Sequence, residues 1–246
     1  MNKSLISEEE LRSYAKCSEY YYLGGGDALT FQQKVVKNAF ERLVTRSLRE
    51  RLKDKERGLH SCLLQAITEE GQKEQLFESQ ISRHMNTCLL WLNDMLEVFS
   101  FNIYTPILGK VQPNIKIGKT TVKLDISGIF RSAKNQTIHA VTFSSYSSKH
   151  AMLNDPSLSL KLAVLKPFVK KHAGIKRPQV ILHVFSYGTK DNLQYYSIDS
   201  NQINRQNVNM VKSISKGVEL GIRYPVNPCN HSCQFKNKCY PWVKNV

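Results

Sequence analysis

Acidic residues are nearly missing from the last 91 positions. Residues 156–246 hold three, Asp191, Asp199 and Glu219, against 14 Lys and Arg. The first 155 residues hold 17 acidic and 21 basic residues, so the net charge of +15 divides into +4 and +11. This imbalance excludes an acidic surface over the second region and favours polyanionic partners, nucleic acid first and anionic membrane second. Long hydrophobic runs are also missing. The most apolar stretches, such as Cys88–Leu92, are too short to span a bilayer and are broken by charges. The N-terminal MNKSLISEEE lacks the apolar core of a signal peptide. These absences lead us to expect an intracellular protein, cytoplasmic or in the host cytoplasm if the source is a virus, with no membrane partner. Repeats and low-complexity linkers are lacking too. What is present is enough apolar residue, 41% of 246, to bury one substantial core or two small ones.

The chain opens on a capping-box pattern, Ser7 with Glu10, which predicts a helix over 8–16 with Leu11, Tyr14 and Ala15 inward. The aromatic run Tyr20-Tyr21-Tyr22 ends in Gly24-Gly25-Gly26. That triple glycine lacks the strand-then-helix context of a phosphate-binding loop, so that reading is rejected. Residues 31–101 have helical spacing, with Val36, Phe40, Val44 and Leu48 in one stripe and breaks expected at Gly58 and Gly71. Cys62 and Cys88 fall within these stripes as buried thiols. The period then changes to that of strands: 114–117 and 121–126 about a Gly118-Lys119 turn, continuing through 127–132 with a bulge at Gly128, then 137–144. Residues 157–172 return to helical spacing, interrupted at Pro167. Strands over 179–187 and 193–198 and a helix over 201–220 follow. The order predicts an α/β or α+β protein in three parts: a helical lobe over 1–110, an α/β core over 111–222 and a cysteine-rich segment over 223–246.

Six cysteines in a reducing compartment point to metal or packing rather than disulfides. Cys229, Cys233 and Cys239 form C-x3-C-x5-C in a lysine-rich stretch, a pattern suited to a soft metal or an iron–sulfur cluster. Cys17 is the best fourth ligand and His231 the nearest local alternative. A centre held by Cys17 and the C-terminal trio would close a loop spanning most of the chain. The other histidines, His60, His84, His139, His150, His172 and His183, show no ligand spacing.

The lone cysteine in LRSYAKCSEYYYLGG, together with a cysteine trio before YPW, resembles the iron–sulfur subgroup of the PD-(D/E)XK nucleases, which includes RecB-like exonucleases and CRISPR-adaptation nucleases. The resemblance implies a restriction-endonuclease-like core and a [4Fe–4S] cluster on Cys17, Cys229, Cys233 and Cys239, with zinc as the alternative. Active members hold divalent ions on carboxylates and assist the nucleophile with a lysine. Matched to that pattern, Asn38 stands where a histidine is usual, Arg131 where the first acid follows Gly128, Thr142 and Ser144 in place of the acid and lysine of (D/E)-x-K, and Lys161 and Leu165 at the Q-x-x-x-Y spacing. Asp125, three residues before Gly128, is the carboxylate that could substitute.

The resemblance therefore implies a pseudo-nuclease that binds DNA or RNA, single strands favoured, as a subunit of a larger complex in replication, recombination or transcription. Arg131, Lys161, Lys166, Lys170, Lys171, Lys176 and Arg177 are the candidate phosphate contacts, and Tyr20–Tyr22 could stack on bases. Two alternatives stay open. One is a divergent metal-dependent deoxyribonuclease built on Asp125. The other is an adaptor whose basic surface meets an acidic protein.

Overall fold

A computed structural model describes residues 5–16, 29–50, 55–99, 103–132, 137–144, 149–175, 178–187, 193–202 and 205–221. The described elements run in the order β1 (Leu5–Ser7), α1 (Glu8–Lys16), α2 (Phe31–Glu50), α3 (Lys55–Lys73), α4 (Glu78–Val98), β2 (Tyr104–Leu108), β3 (Asn114–Ile117), β4 (Thr120–Lys123), β5 (Gly128–Ser132), β6 (Ile138–Ser144), α5 (Lys149–Leu153), α6 (Pro156–Ala173), β7 (Val180–Tyr187), β8 (Leu193–Asp199) and α7 (Arg205–Glu219). No described helix is long and apolar enough to cross a membrane.

Five strands form the main sheet in the order β2-β5-β6-β7-β8. Within this sheet only the β6–β7 pair is parallel, because α5 and α6 carry the chain from the end of one strand back to the start of the next. A smaller sheet, β1-β4-β3, lies beside it. The expected hairpin is there: Ile117 pairs with Thr120 about Gly118, whose φ of 62° suits the turn. The expected continuous strand through Gly128 is not. The chain changes sheets between Lys123 and Gly128, and a bridge from Val111 to Ile126 holds the crossing. Two strands escaped the periodicity, β1 and β2. Each is short and lies at a sheet edge, and Pro106 interrupts β2.

Strand β6 is buried along its whole length and divides two cores. Its odd-numbered residues Val141 and Phe143 face α2, α3 and α4, where Phe40, Phe99, Phe130 and Phe185 pack together. Ile138 and Ala140 face α6, whose predicted stripe of Leu158, Leu162, Leu165 and Val169 is buried as expected. Helix α6 is fixed at both ends. Asp155 caps it by accepting from Ser157 N at 2.7 Å, and Gly174 ends it in the left-handed region. It continues through Pro167 instead of breaking there. Gly58 and Gly71 likewise lie inside α3. A Cβ on Gly71 would come within 2.6 Å of Ile81 Cδ1, so this glycine permits close packing of α3 on α4.

The α2–α4 face of the sheet also holds a neutral polar centre. His139 Nδ1 lies 2.8 Å from His183 Nε2, and His183 Nδ1 lies 2.6 Å from the Tyr195 hydroxyl. Tyr104 covers His139, and Phe99 meets His183 edge-on. Burial pushes the imidazoles down to about 4 for His139 and about 3 for His183, so both are uncharged at neutral pH.

Candidate functional site

The predicted capping box forms: Ser7 Oγ accepts from Glu10 N at 3.1 Å, and Glu10 Oε2 accepts from Ser7 N at 2.7 Å. It fixes the start of α1 and with it Glu8, whose carboxylate is buried against α6. Glu8 Oε1 accepts from Lys161 Nζ at 2.8 Å and from Arg12 Nη1 at 3.0 Å, and Glu8 Oε2 accepts from Asp125 N at 3.2 Å. Lys161 also donates to Thr142 Oγ1 at 2.6 Å, and Arg12 to Ser144 Oγ at 3.0 Å. Thr142 and Ser144 follow Ala140 in alternation on β6, so both hydroxyls emerge on the α6 side. Each thus meets a protein cation: an ammonium on Thr142 and a guanidinium on Ser144.

A second group of charges adjoins the first. Asp125 is ion-paired with Lys37 and lies 3.8 Å from Lys110 Nζ. Glu41, one helical turn after Lys37 on α2, accepts from Lys110 at 3.0 Å and from Ser127 Oγ at 2.9 Å. Burial opposes the charge on Lys37, but Asp125 and Glu41 outweigh it and raise its pKa. Burial likewise resists ionisation of Asp125, yet Lys37 and Lys110 prevail and hold its carboxyl below the usual range. For Glu41 burial wins, and its pKa is raised despite Lys37 and Lys110. A cavity of about 210 Å³ opens over these charges, lined by Glu8, Arg12, Lys37 and Asp125 among others.

Several expected positions move. Arg131, expected in the first acid's place, does not lie beside Thr142. It pairs with Ile138, four residues along β6 from Thr142, or roughly 13 Å at the usual rise per residue. Its side chain is exposed. The residue beside Thr142 is Ser127, whose N–H donates to Val141 O at 2.8 Å. Asn38 turns away and donates to Glu70 on α3 at 3.0 Å, leaving Lys37 and Glu41 as the residues of α2 that face the cluster. Lys161 is not a surface phosphate contact. It is 1% exposed, because its ammonium is drawn inward by Glu8. Lys166 is half-buried and donates to Asn201 at 2.7 Å, whereas Lys170 and Lys171 are exposed on the last turn of α6. Cys17, Cys229, Cys233, Cys239, Lys176, Arg177 and Tyr20–Tyr22 lie outside the described residues.

Sequence reasoning passed over Glu8, Arg12, Lys37, Glu41 and Lys110. Glu8 reads as one of three acids complementing a helix N-terminus. The one local signal was Lys37 with Glu41, an i,i+4 ion pair set beside the apolar stripe of α2.

No family model matches the chain, and no curated protein matches it in sequence. Solved structures do match. The crystal structure of a "Putative exonuclease" from Eubacterium rectale matches with a TM-score of 0.52, over 93% of this chain and 87% of that one, at 10% identity. That of SSO0001 covers 99% of this chain and 88% of its own at 13% identity, but its TM-score of 0.36 is too low to carry an argument. The first likeness shows the fold, a nuclease-like α+β arrangement.

Proposed function

We propose that the chain is a nuclease-fold protein that binds nucleic acid without cutting it, as a subunit of a larger DNA- or RNA-processing assembly. One observation carries the reading. Thr142 and Ser144, which the nuclease resemblance puts in place of an acid and a lysine, lie beside Ser127, and Lys161 and Arg12 put fixed positive charge on them. Neutral hydroxyls are weak ligands for Mg²⁺, and a buried ammonium repels it. The neighbouring carboxylates Glu8 and Asp125 are engaged by protein cations. Support for binding comes from the +11 charge of residues 156–246 and from exposed Lys170 and Lys171. A fluorescently labelled oligonucleotide titrated at low and moderate salt tests this. Salt-sensitive binding is expected, and no binding to single or double strands at low salt would sink it.

We further propose that Cys17, Cys229, Cys233 and Cys239 hold a [4Fe–4S] cluster, with zinc as the alternative. The described flanks support this. Tyr14, three residues before Cys17, packs against Gly217 on α7, close enough that a Cβ there would collide with its hydroxyl. Leu11, Tyr14, Val211, Ile214 and Val218 share one buried cluster. The chain segments entering both cysteine regions therefore start from adjacent helices. Brown protein with broad visible absorbance, bleached in Cys233→Ser, is expected. A colourless protein containing zinc would replace the iron assignment.

A specific observation favours a second reading, a divergent metal-dependent deoxyribonuclease: Asp125 has carboxylate company after all, since it shares Lys37 and Lys110 with Glu41. Mg²⁺- or Mn²⁺-dependent degradation lost in Asp125→Asn would establish it.

A further inference from the structure

A larger cavity, of about 600 Å³, lies between the β3–β4 hairpin and α7 and shares no lining residue with the charge cluster. Its wall is built by helical spacing: Val208, Lys212, Lys216 and Glu219 recur every three or four residues on one face of α7. Lys116 and Ile117 line it from the hairpin and Leu160 from α6. Leu160 lies here while the next residue, Lys161, reaches Glu8 in the cluster.

The cavity carries net positive charge, three lysines against one glutamate. Lys116, Lys212 and Lys216 are exposed, and among the described residues none has an ion-pair partner. The single acid, Glu219, is already engaged. Its Oε1 accepts from Lys119 N at 2.6 Å and Thr120 N at 3.1 Å, closing the hairpin turn. Two lysines at i,i+4 repel each other unless an anion lies between them. Residues 222–246, which follow α7, contain no Asp or Glu. A further polar group is unspent: Ser215 lines the cavity, is 1% exposed, and its hydroxyl has no hydrogen-bond partner. Leu160, Val208 and Ile117 add apolar surface. The volume is in the range of small-molecule sites and exceeds what a bare phosphate needs.

We propose that this cavity binds a nucleoside phosphate unit, with the phosphate on Lys116, Lys212 and Lys216 and the base and sugar against Leu160, Val208 and Ile117. Lysine binds phosphate as a point charge, which suits three flexible ammonium groups around one opening. The unit could be a free mononucleotide or one nucleotide of a strand. The strand source rests on the nucleic-acid reading above, whereas the free source does not.

The test uses the full chain, with dTMP, thymidine, inorganic phosphate and a short oligothymidylate as probes in calorimetric titration. We expect dTMP to bind more tightly than thymidine or phosphate alone. K212E/K216E, which changes only exposed groups, should weaken dTMP about tenfold or more at unchanged melting temperature. If a strand is the source, the oligothymidylate binds more tightly than dTMP and the same variant weakens it. Binding of dTMP that K212E/K216E leaves unchanged overturns the proposal. So does undetectable dTMP at millimolar concentration together with oligothymidylate binding sensitive only to K170E/K171E, although nucleic-acid binding would then stand. Variant-sensitive dTMP binding with no oligothymidylate binding at either salt would keep the cavity and remove the nucleic-acid reading.

Discussion

Strand β6 carries two polar centres on its two faces, and they meet burial in opposite ways. On the α2–α4 face His139 and His183 are neutral, bonded to each other and to Tyr195, and ringed by Phe99 and Tyr104. On the α6 face Thr142 and Ser144 meet full charges, Lys161 and Arg12, balanced by Glu8. A neutral network in an apolar core is a means of packing polar groups. A buried set of ions costs far more to assemble, and each member depends on the others. The difference separates a neutral, packed centre from a crevice whose buried ions hold one another in place.

The comparison is broken most severely by removing one ion. Lys161→Met should cost about 3–5 kcal/mol in chemical denaturation, because Glu8 loses its closest cation while remaining buried. Adding Glu8→Gln should recover part of that loss, a sign that the single variant suffers from the charge left behind. An equal loss in the single and double variants would mean that packing, not charge, holds the crevice together.

The neutral centre should respond to acid instead. Both histidines have folded pKa values below the ordinary 6.5, so the unfolded chain binds more protons between that value and the folded ones. Stability is fully present above about 6.5 and is lost as pH falls toward 4 and then 3, by up to about 1.4 kcal/mol per pH unit for each group. H139F/H183F should flatten this dependence. An unchanged slope in that variant would move the acid sensitivity to the carboxylates of the other face.

Smaller effects sharpen the picture at the edges. Gly217→Ala should destabilise by about 1–3 kcal/mol through the clash with the Tyr14 hydroxyl. If the proposed cluster is present and the α1–α7 contact sets its cysteine geometry, the same variant should lower visible absorbance per chain. The smallest change is expected from K170E/K171E, which should lower oligonucleotide affinity severalfold at low salt and leave stability unaltered.

Much of the fold was legible because periodicity reports burial. The stripe Leu158, Leu162, Leu165 and Val169, the Gly118 turn and the Ser7–Glu10 capping box all follow from short-range chemistry and are found. Ala15, assigned to the inner face of α1, is exposed. What escaped was non-local. Short edge strands such as β1 and β2 depend on partners more than a dozen residues away. Gly71 looks like a helix breaker in sequence but serves close packing, because only the position of Ile81 gives it that role. The site was half legible. Thr142 and Ser144, singled out from sequence, lie in the charge cluster, yet Arg131 was expected beside them by counting from Gly128, and the strand register puts Ser127 there. Glu8 and Lys161 meet across 153 positions of chain, which no local pattern encodes.

The proposed reading is that protein cations fill this crevice in place of metal, so that the chain would bind nucleic acid without cutting it. The direct measurement is incubation of end-labelled single- and double-stranded DNA with the full chain in Mg²⁺ and in Mn²⁺, with binding followed in the same samples. The account predicts salt-sensitive retention of intact DNA in both metals. Metal-dependent shortening of the DNA that disappears in Asp125→Asn would contradict it.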